Sequence, residues 1–184
     1  MKTPLEQLPL SAFARLDRKK TDRLPLYGFV LLTNSAYTLL APAYDFVLNG
    51  FCVIRNKDVM QHMVYNDPEC FTSRALQLLG VSAPSSPDID IASIVTVAQS
   101  AAQRFPLMVV HCERRQPGAC WVGRYRSHTK KRLVLDSIDP SASWDGTETI
   151  KLRDVTMIGF GASYESALWL VAQEREHLGK AGAN

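Results

Sequence analysis

Residues 24–44 carry no charged side chain, and this stretch limits what the chain can fold into more than any other segment. Its length suits a membrane span, but Pro25 and Pro42 lie inside it and Asn34-Ser35 divides it. Proline removes a backbone donor and clashes with the preceding helical turn, so one continuous spanning helix is a poor fit. Strand, turn and strand fit instead, with residues 26–32 as one apolar run and residues 37–43 as the next. Asn49-Gly50 then supplies the strongest hairpin dipeptide of the chain, ahead of Phe51-Cys52-Val53-Ile54. After the polar break Arg55-Asn56-Lys57-Asp58, residues 59–65 resume an apolar pattern. Four or five short strands with tight turns read as a small meander that curls on itself.

Helical spacing replaces this pattern at residues 69–79, where Phe71, Ala75, Leu76 and Leu79 share one side and Gly80 is placed to end the helix. Residues 82–87, rich in serine and proline, read as a linker. Asp90 is placed to cap the next helix, whose buried face is Ile91, Ile94, Val95, Ala98, Ala101, Ala102 and Phe105. A second strand block follows at residues 107–110, 119–123, 133–135, 148–152 and 155–158. A terminal helix opens at Ser163, with Ala167, Leu168, Val171 and Ala172 on one face, and residues 179–184 are expected to fray. Residues 1–23 read as a lead-in, either a helical turn through Leu10, Phe13, Ala14 and Leu16 or a solvated linker. Arg15, Arg18, Lys19, Lys20 and Arg23 there form a basic cluster broken by Asp17 and Asp22.

The two strand blocks look like copies. Ile54-Arg55-Asn56-Lys57-Asp58-Val59 and Ile150-Lys151-Leu152-Arg153-Asp154-Val155 each lead into a strand, an aromatic residue and a helix carrying Ala-Leu. A duplication predicts that Arg55 aligns with Arg153 and Val59 with Val155. With these motifs the chain resembles the Sm-like (LSm-type) β-barrel family. Residues 109–136 resemble its first motif, including a bent strand with Gly123, and Leu152-Arg153-Asp154 resembles the Arg turn of its second. Ile54-Arg55-Asn56 resembles the same turn, with Asn56 in the place of a glycine. The resemblance implies a mixed α/β, mainly β fold: two tandem small bent barrels, at 24–80 and 107–178, joined by a helical connector at 81–106 and closed by a C-terminal helix. It also implies open strand edges that pair in a homo-oligomer, often around RNA. The family's base-binding asparagine is unmatched, since Arg132 holds the nearest position, and Asp154 puts an acid beside the expected pocket.

Arg124, Arg126, Lys130, Lys131 and Arg132 place five cations and no acid within residues 124–132, with Tyr125 and His128 between them. Such a run suits phosphate contacts plus base stacking, and it equally suits a solvated hairpin tip. The candidate nucleic-acid contacts are Arg55, Lys57, Arg124, Arg126, Lys130, Lys131 and Arg153. Trp169 is the candidate interface residue, because it lies about 100° around the helix from the inward Leu168.

Catalysis finds little support. No nucleophile elbow, Walker loop or dinucleotide loop occurs, and the aspartates lie at turns, where they satisfy backbone amides. Cys112 and Cys120 match no common zinc spacing, and His111 and Cys112 point to opposite faces of a strand. No metal, cofactor or membrane partner is expected. Cys52, Cys70, Cys112 and Cys120 read as reduced thiols, and the first residues lack the apolar core of a secretory signal, so a cytoplasmic protein is expected. The net charge of +3 does not demand a nucleic-acid partner by itself. The expectation is a non-catalytic module that self-assembles through strand edges and binds RNA, the alternative being a protein–protein scaffold.

Overall fold

A computed structural model describes residues 4–181. The first half contains β1 (Phe13–Asp17), β2 (Leu26–Thr33), β3 (Tyr37–Tyr44), β4 (Val47–Leu48), β5 (Phe51–Arg55), β6 (Gln61–Val64) and α1 (Phe71–Leu78). The second contains α2 (Ile94–Ala102), β7 (Met108–His111), β8 (Cys120–His128), β9 (Arg132–Ile138), β10 (Trp144–Lys151), β11 (Met157–Phe160) and α3 (Ser163–Ala181). The fold is mixed α/β and mainly β. All strands join one antiparallel sheet in the order β10-β9-β8-β7-β11-β5-β3-β2-β1-β6, with β4 a spur on β3. The ladder ends at β6 and β10, so it is open rather than two closed barrels. The halves are also not separate units, because β5 pairs with β11 across the middle.

The halves share one plan. Each runs outward from its first strand through its hairpins and brings its last strand back beside the first. Gly28 faces Pro42 across β2 and β3, as Gly123 faces Ser137 across β8 and β9. A register shift follows each glycine, between Val30 and Leu32 and between Tyr125 and Ser127. A side chain at either glycine would strike the backbone of the next strand, the carbonyl oxygen of Ala41 or of Asp136. Glycine beside a register shift is what a close backbone approach within a sheet requires.

Several expectations fail at the level of single elements. Residues 13–17 are strand β1, not a lead-in helix or linker, and they lie between β2 and β6. Phe13, Ala14 and Leu16 are buried, and both sheet faces are covered there, so the apolar pattern is continuous and mimics a helix. Asn49-Gly50 is not the hairpin tip. Asp45 and Phe46, with φ of 50° and 63°, make the two-residue turn between β3 and β4. Gly50, at φ 70°, instead lies so close to Phe160 and Ala162 that a Cβ would meet their backbone. Ser93, not Asp90, caps α2, through a reciprocal bond with Thr96. Asn56 is absent from the residues with positive φ; its amide donates to Asn34 O at 2.6 Å and accepts from Thr38 Oγ1 at 2.7 Å. Helix α3 continues through Ala181, so the expected frayed tail begins no earlier, and residues 182–184 lie outside the described part.

One apolar core runs through both halves. Phe29, Leu39 and Val53 share it with Val110, Leu133, Leu135, Ile158 and Phe160, covered by Val97, Ala98 and Ala101 of α2. A second cluster, around Leu16, Val30, Leu40 and Ile54, lies under Leu5 and Leu8. A third seats Leu168 and Ala172 of α3 against Leu107 and Ile138. Truncating one such buried leucine typically costs about 2–5 kcal/mol.

Candidate nucleic-acid interface

The tip between β8 and β9 is built by Thr129. Its backbone N–H donates to Arg132 O at 2.8 Å, and its Oγ1 accepts from the N–H groups of Lys131 and Arg132 at 3.3 and 3.1 Å. Lys130 and Lys131 are thereby held at the apex with exposed side chains. The Leu152 N–H donates to Lys131 O at 3.0 Å, which ties the turn after β10 to this tip. The result is a groove of about 420 Å³ lined by Lys130, Lys131, Arg132, Lys151, Leu152 and Arg153. Five of its six lining residues are cationic and none is acidic. Lys151 stands directly opposite Arg132 in the β9–β10 ladder, a like-charge pairing that disfavours the sheet unless an anion intervenes.

The other basic candidates are occupied. Arg126 is 3.0 Å from Asp136, and Arg124 is 3.7 Å from the same carboxylate and lies over the Trp144 ring at 4.7 Å. Arg55 is buried and donates to the carbonyl oxygens of Leu152 and Arg153, joining the two halves. It cannot reach a phosphate from there. Lys57 is exposed on the turn Asn56–Asp58 and does not line the groove. The turns 56–60 and 152–156 are equally long, so Lys57 stands with Arg153, Arg55 with Lys151 and Val59 with Val155. Counted from the strand ends, the expected match of Val59 with Val155 is kept, and that of Arg55 with Arg153 is offset by two residues.

The acids beside the Arg turns do not cap amides as the sequence suggested. Arg115 contacts Asp154 at 2.8 Å and holds its carboxyl below the usual carboxylate range. Arg114 pairs with Asp58. Consecutive arginines of the β7–β8 loop thus grip the equivalent turns of both halves, and Asp154 is neutralised beside the groove. Tyr125 and His128, the aromatic members of the run, share a 2.6 Å hydrogen bond between the phenol oxygen and Nδ1.

Trp169 is half-buried, edge-to-face with Trp144 at 6.4 Å, and Trp144 Nε1 donates to Glu176 at 2.8 Å. It anchors α3. The exposed apolar residues of that helix are Tyr164, Leu170, Val171 and Leu178.

The basic run was visible in the sequence, but Lys151 was not, because only the β9–β10 register brings it to Arg132. Burial pushes the Cys52 thiol up to about 12 and the Cys112 thiol to about 11, so both stay protonated at neutral pH. Among the described residues no group of three His, Cys, Asp or Glu side chains is placed to hold a metal ion, and no helix is long and apolar enough to cross a membrane. Compared with known proteins, the chain matches no family model, no curated protein and no solved structure.

Proposed function

We propose that this chain is a non-catalytic, Sm-like module that binds single-stranded RNA on the groove between the β8–β9 tip and the turn after β10. The observation that carries the reading is the cation cluster, in which only Arg153 has an acidic neighbour (Asp154, 3.7 Å), with Arg132 and Lys151 opposed in the ladder and no acid lining the groove. An RNA phosphate run would relieve that repulsion, while Tyr125 and His128 offer faces for unstacked bases. The shared strand order and matched glycines of the halves support the family resemblance and a duplication. Edge-to-edge assembly through β6 and β10 belongs to the same reading. So does a cytoplasmic location, supported by four free cysteines.

The test is fluorescence anisotropy with a single-stranded RNA oligonucleotide at several salt concentrations. Replacing Lys130 and Lys131 together by Ala should weaken binding and flatten the salt slope by about one to two units. Melting should hardly move, because both side chains are exposed. A chain that fails to bind RNA at low salt, up to tens of micromolar, does not have this function. The exposed apolar residues of α3, Tyr164, Leu170, Val171 and Leu178, favour the second reading, a protein–protein scaffold. In that case the lysine pair changes nothing.

A further inference from the structure

A further cavity lies away from the basic groove. A cleft of about 730 Å³ opens between the β1–β2 loop and the β7–β8 loop, which are equivalent connections of the two halves. Its size is that of a small-molecule site. The basic cluster near the N-terminus, which the RNA groove leaves unused, supplies one wall: Lys19, Lys20 and Arg23. All three are exposed, and none has an ion-pair or hydrogen-bond partner among the described residues. The acids of the cleft are already engaged. Glu113 is held by Arg18 at 2.9 Å and by the Thr156 hydroxyl at 2.6 Å, and Asp22 accepts from the Leu24 N–H at 3.0 Å. Between the cations lies Thr21, buried to 7% exposure, whose hydroxyl has no hydrogen-bond partner. A buried hydroxyl without a partner is costly and calls for a ligand or a water.

Apolar and aromatic residues line the same cleft: Leu24, Met157 and the exposed ring of Tyr44. His111 and Cys120, directly opposed in the β7–β8 ladder, lie beside it. Burial lowers the His111 imidazole below its ordinary value, so at neutral pH it offers one donor and one acceptor. Three loose cations in the lining ask for more than one negative charge, and the exposed Tyr44 ring among them asks for a flat ring.

We propose that this cleft binds a nucleoside diphosphate, its base against Tyr44 and its phosphates on Lys19, Lys20 and Arg23. Phosphate contacts supply charge-assisted bonds, stacking on Tyr44 supplies selectivity for a base, and neither alone fills the cleft. The site is independent of the RNA groove and uses none of its residues.

Isothermal titration of the full chain with ADP and UDP, beside adenosine and inorganic pyrophosphate, tests the proposal. At least one diphosphate should bind, about tenfold or more tighter than pyrophosphate, as one stacked base predicts. Lys19→Ala with Lys20→Ala should weaken it by about tenfold or more, and both lysines are exposed, so the melting curve confirms an intact fold. Tyr44→Leu should weaken the diphosphate and leave pyrophosphate unchanged. RNA affinity should survive both variants, and the Lys130/Lys131 variant should keep the diphosphate. Absence of binding at millimolar ADP and UDP, equal affinity for pyrophosphate, or indifference to the Lys19/Lys20 pair overturns the proposal. So does an oligonucleotide that needs Lys19 and Lys20 when free diphosphates do not bind.

Discussion

Arg18 and Glu113 stand 95 positions apart in the chain and meet in a buried bidentate pair, at 2.9 and 3.1 Å. Arg18 is 2% exposed, so removing Glu113 leaves its guanidinium out of water with only the part-exposed Asp22, 3.7 Å away, as counter-charge. Glu113→Ala is therefore expected to cost about 3–5 kcal/mol in urea denaturation, whereas replacing both residues by apolar ones of similar volume should recover much of it. A loss below about 1 kcal/mol would show that the guanidinium finds water instead. His111 lies near this pair, and burial, opposed in part by Glu113, keeps its folded pKa below the ordinary 6.5. Above that value the imidazole is neutral in both the folded and the unfolded chain and contributes no slope. Below it the unfolded chain takes up a proton that the folded chain refuses, so stability falls with acid by up to about 1.4 kcal/mol per pH unit. The carboxyl of Asp154, held down by Arg115, loses its contribution lower still, as pH falls toward its depressed folded value. His111→Gln should flatten the stability profile between pH 6.5 and pH 5, measured by urea melts across that range. An unchanged profile would assign the acid response to the carboxylates alone.

Asn49 shows how an element can be read correctly as a signal and wrongly as a part. Its dipeptide with Gly50 marks a reversal, yet its side chain serves another half of the molecule: Oδ1 accepts from the Ser163 N–H at 2.8 Å and the Ser163 hydroxyl at 3.1 Å. An N-terminal amide of α3 is thus satisfied from a position 114 residues earlier. Asn49→Ala should cost about 0.5–2 kcal/mol and raise amide exchange at the start of α3, while β10 stays protected. Local patterns revealed what is local. The runs of β2, β3 and β5 were legible from their apolar residues and turns, and Gly80 after α1 from its place. The identity of Asp45-Phe46 as the tight turn was not, because neither residue announces a positive φ. Strand β1 was hidden because a strand covered on both faces loses its alternation. The basic tip of the candidate site was legible, whereas Lys151 and the engagement of Arg124 and Arg126 by Asp136 are facts of register, which no single segment encodes.

The whole molecule leaves at its two ends the kinds of strand that meet at its middle. At the junction β5, the fourth long strand of the first half, pairs with β11, the last strand of the second, so that Ile54 faces Met157 and Phe51 faces Phe160. The strands left at the ends are the complementary ones: β6, the last of the first half, and β10, the fourth of the second. Each pairs on one side only among the described residues, and an unpaired edge is a template for another chain. Carried over in register, the junction would set Ile150 of one copy against Gln61 of the next and Thr147 against Val64. Such a contact is head-to-tail, and it gives rings where the rotation closes and filaments where it does not. The free edges are more polar than the junction, with Glu148 and Thr149 where β5 has Cys52 and Val53, so a weaker, concentration-dependent association is expected than the covalently tethered middle. Light scattering behind a sizing column should show mass rising with concentration in the micromolar range. Met63, 47% exposed on β6, is the place to block it: in this register it falls opposite Glu148, so Met63→Glu sets like charges against each other and should return the chain to monomer with little change in melting. A wild-type chain that stays monomeric up to about 100 micromolar, or an assembly indifferent to Met63→Glu, would mean that the two edges serve only to end the sheet.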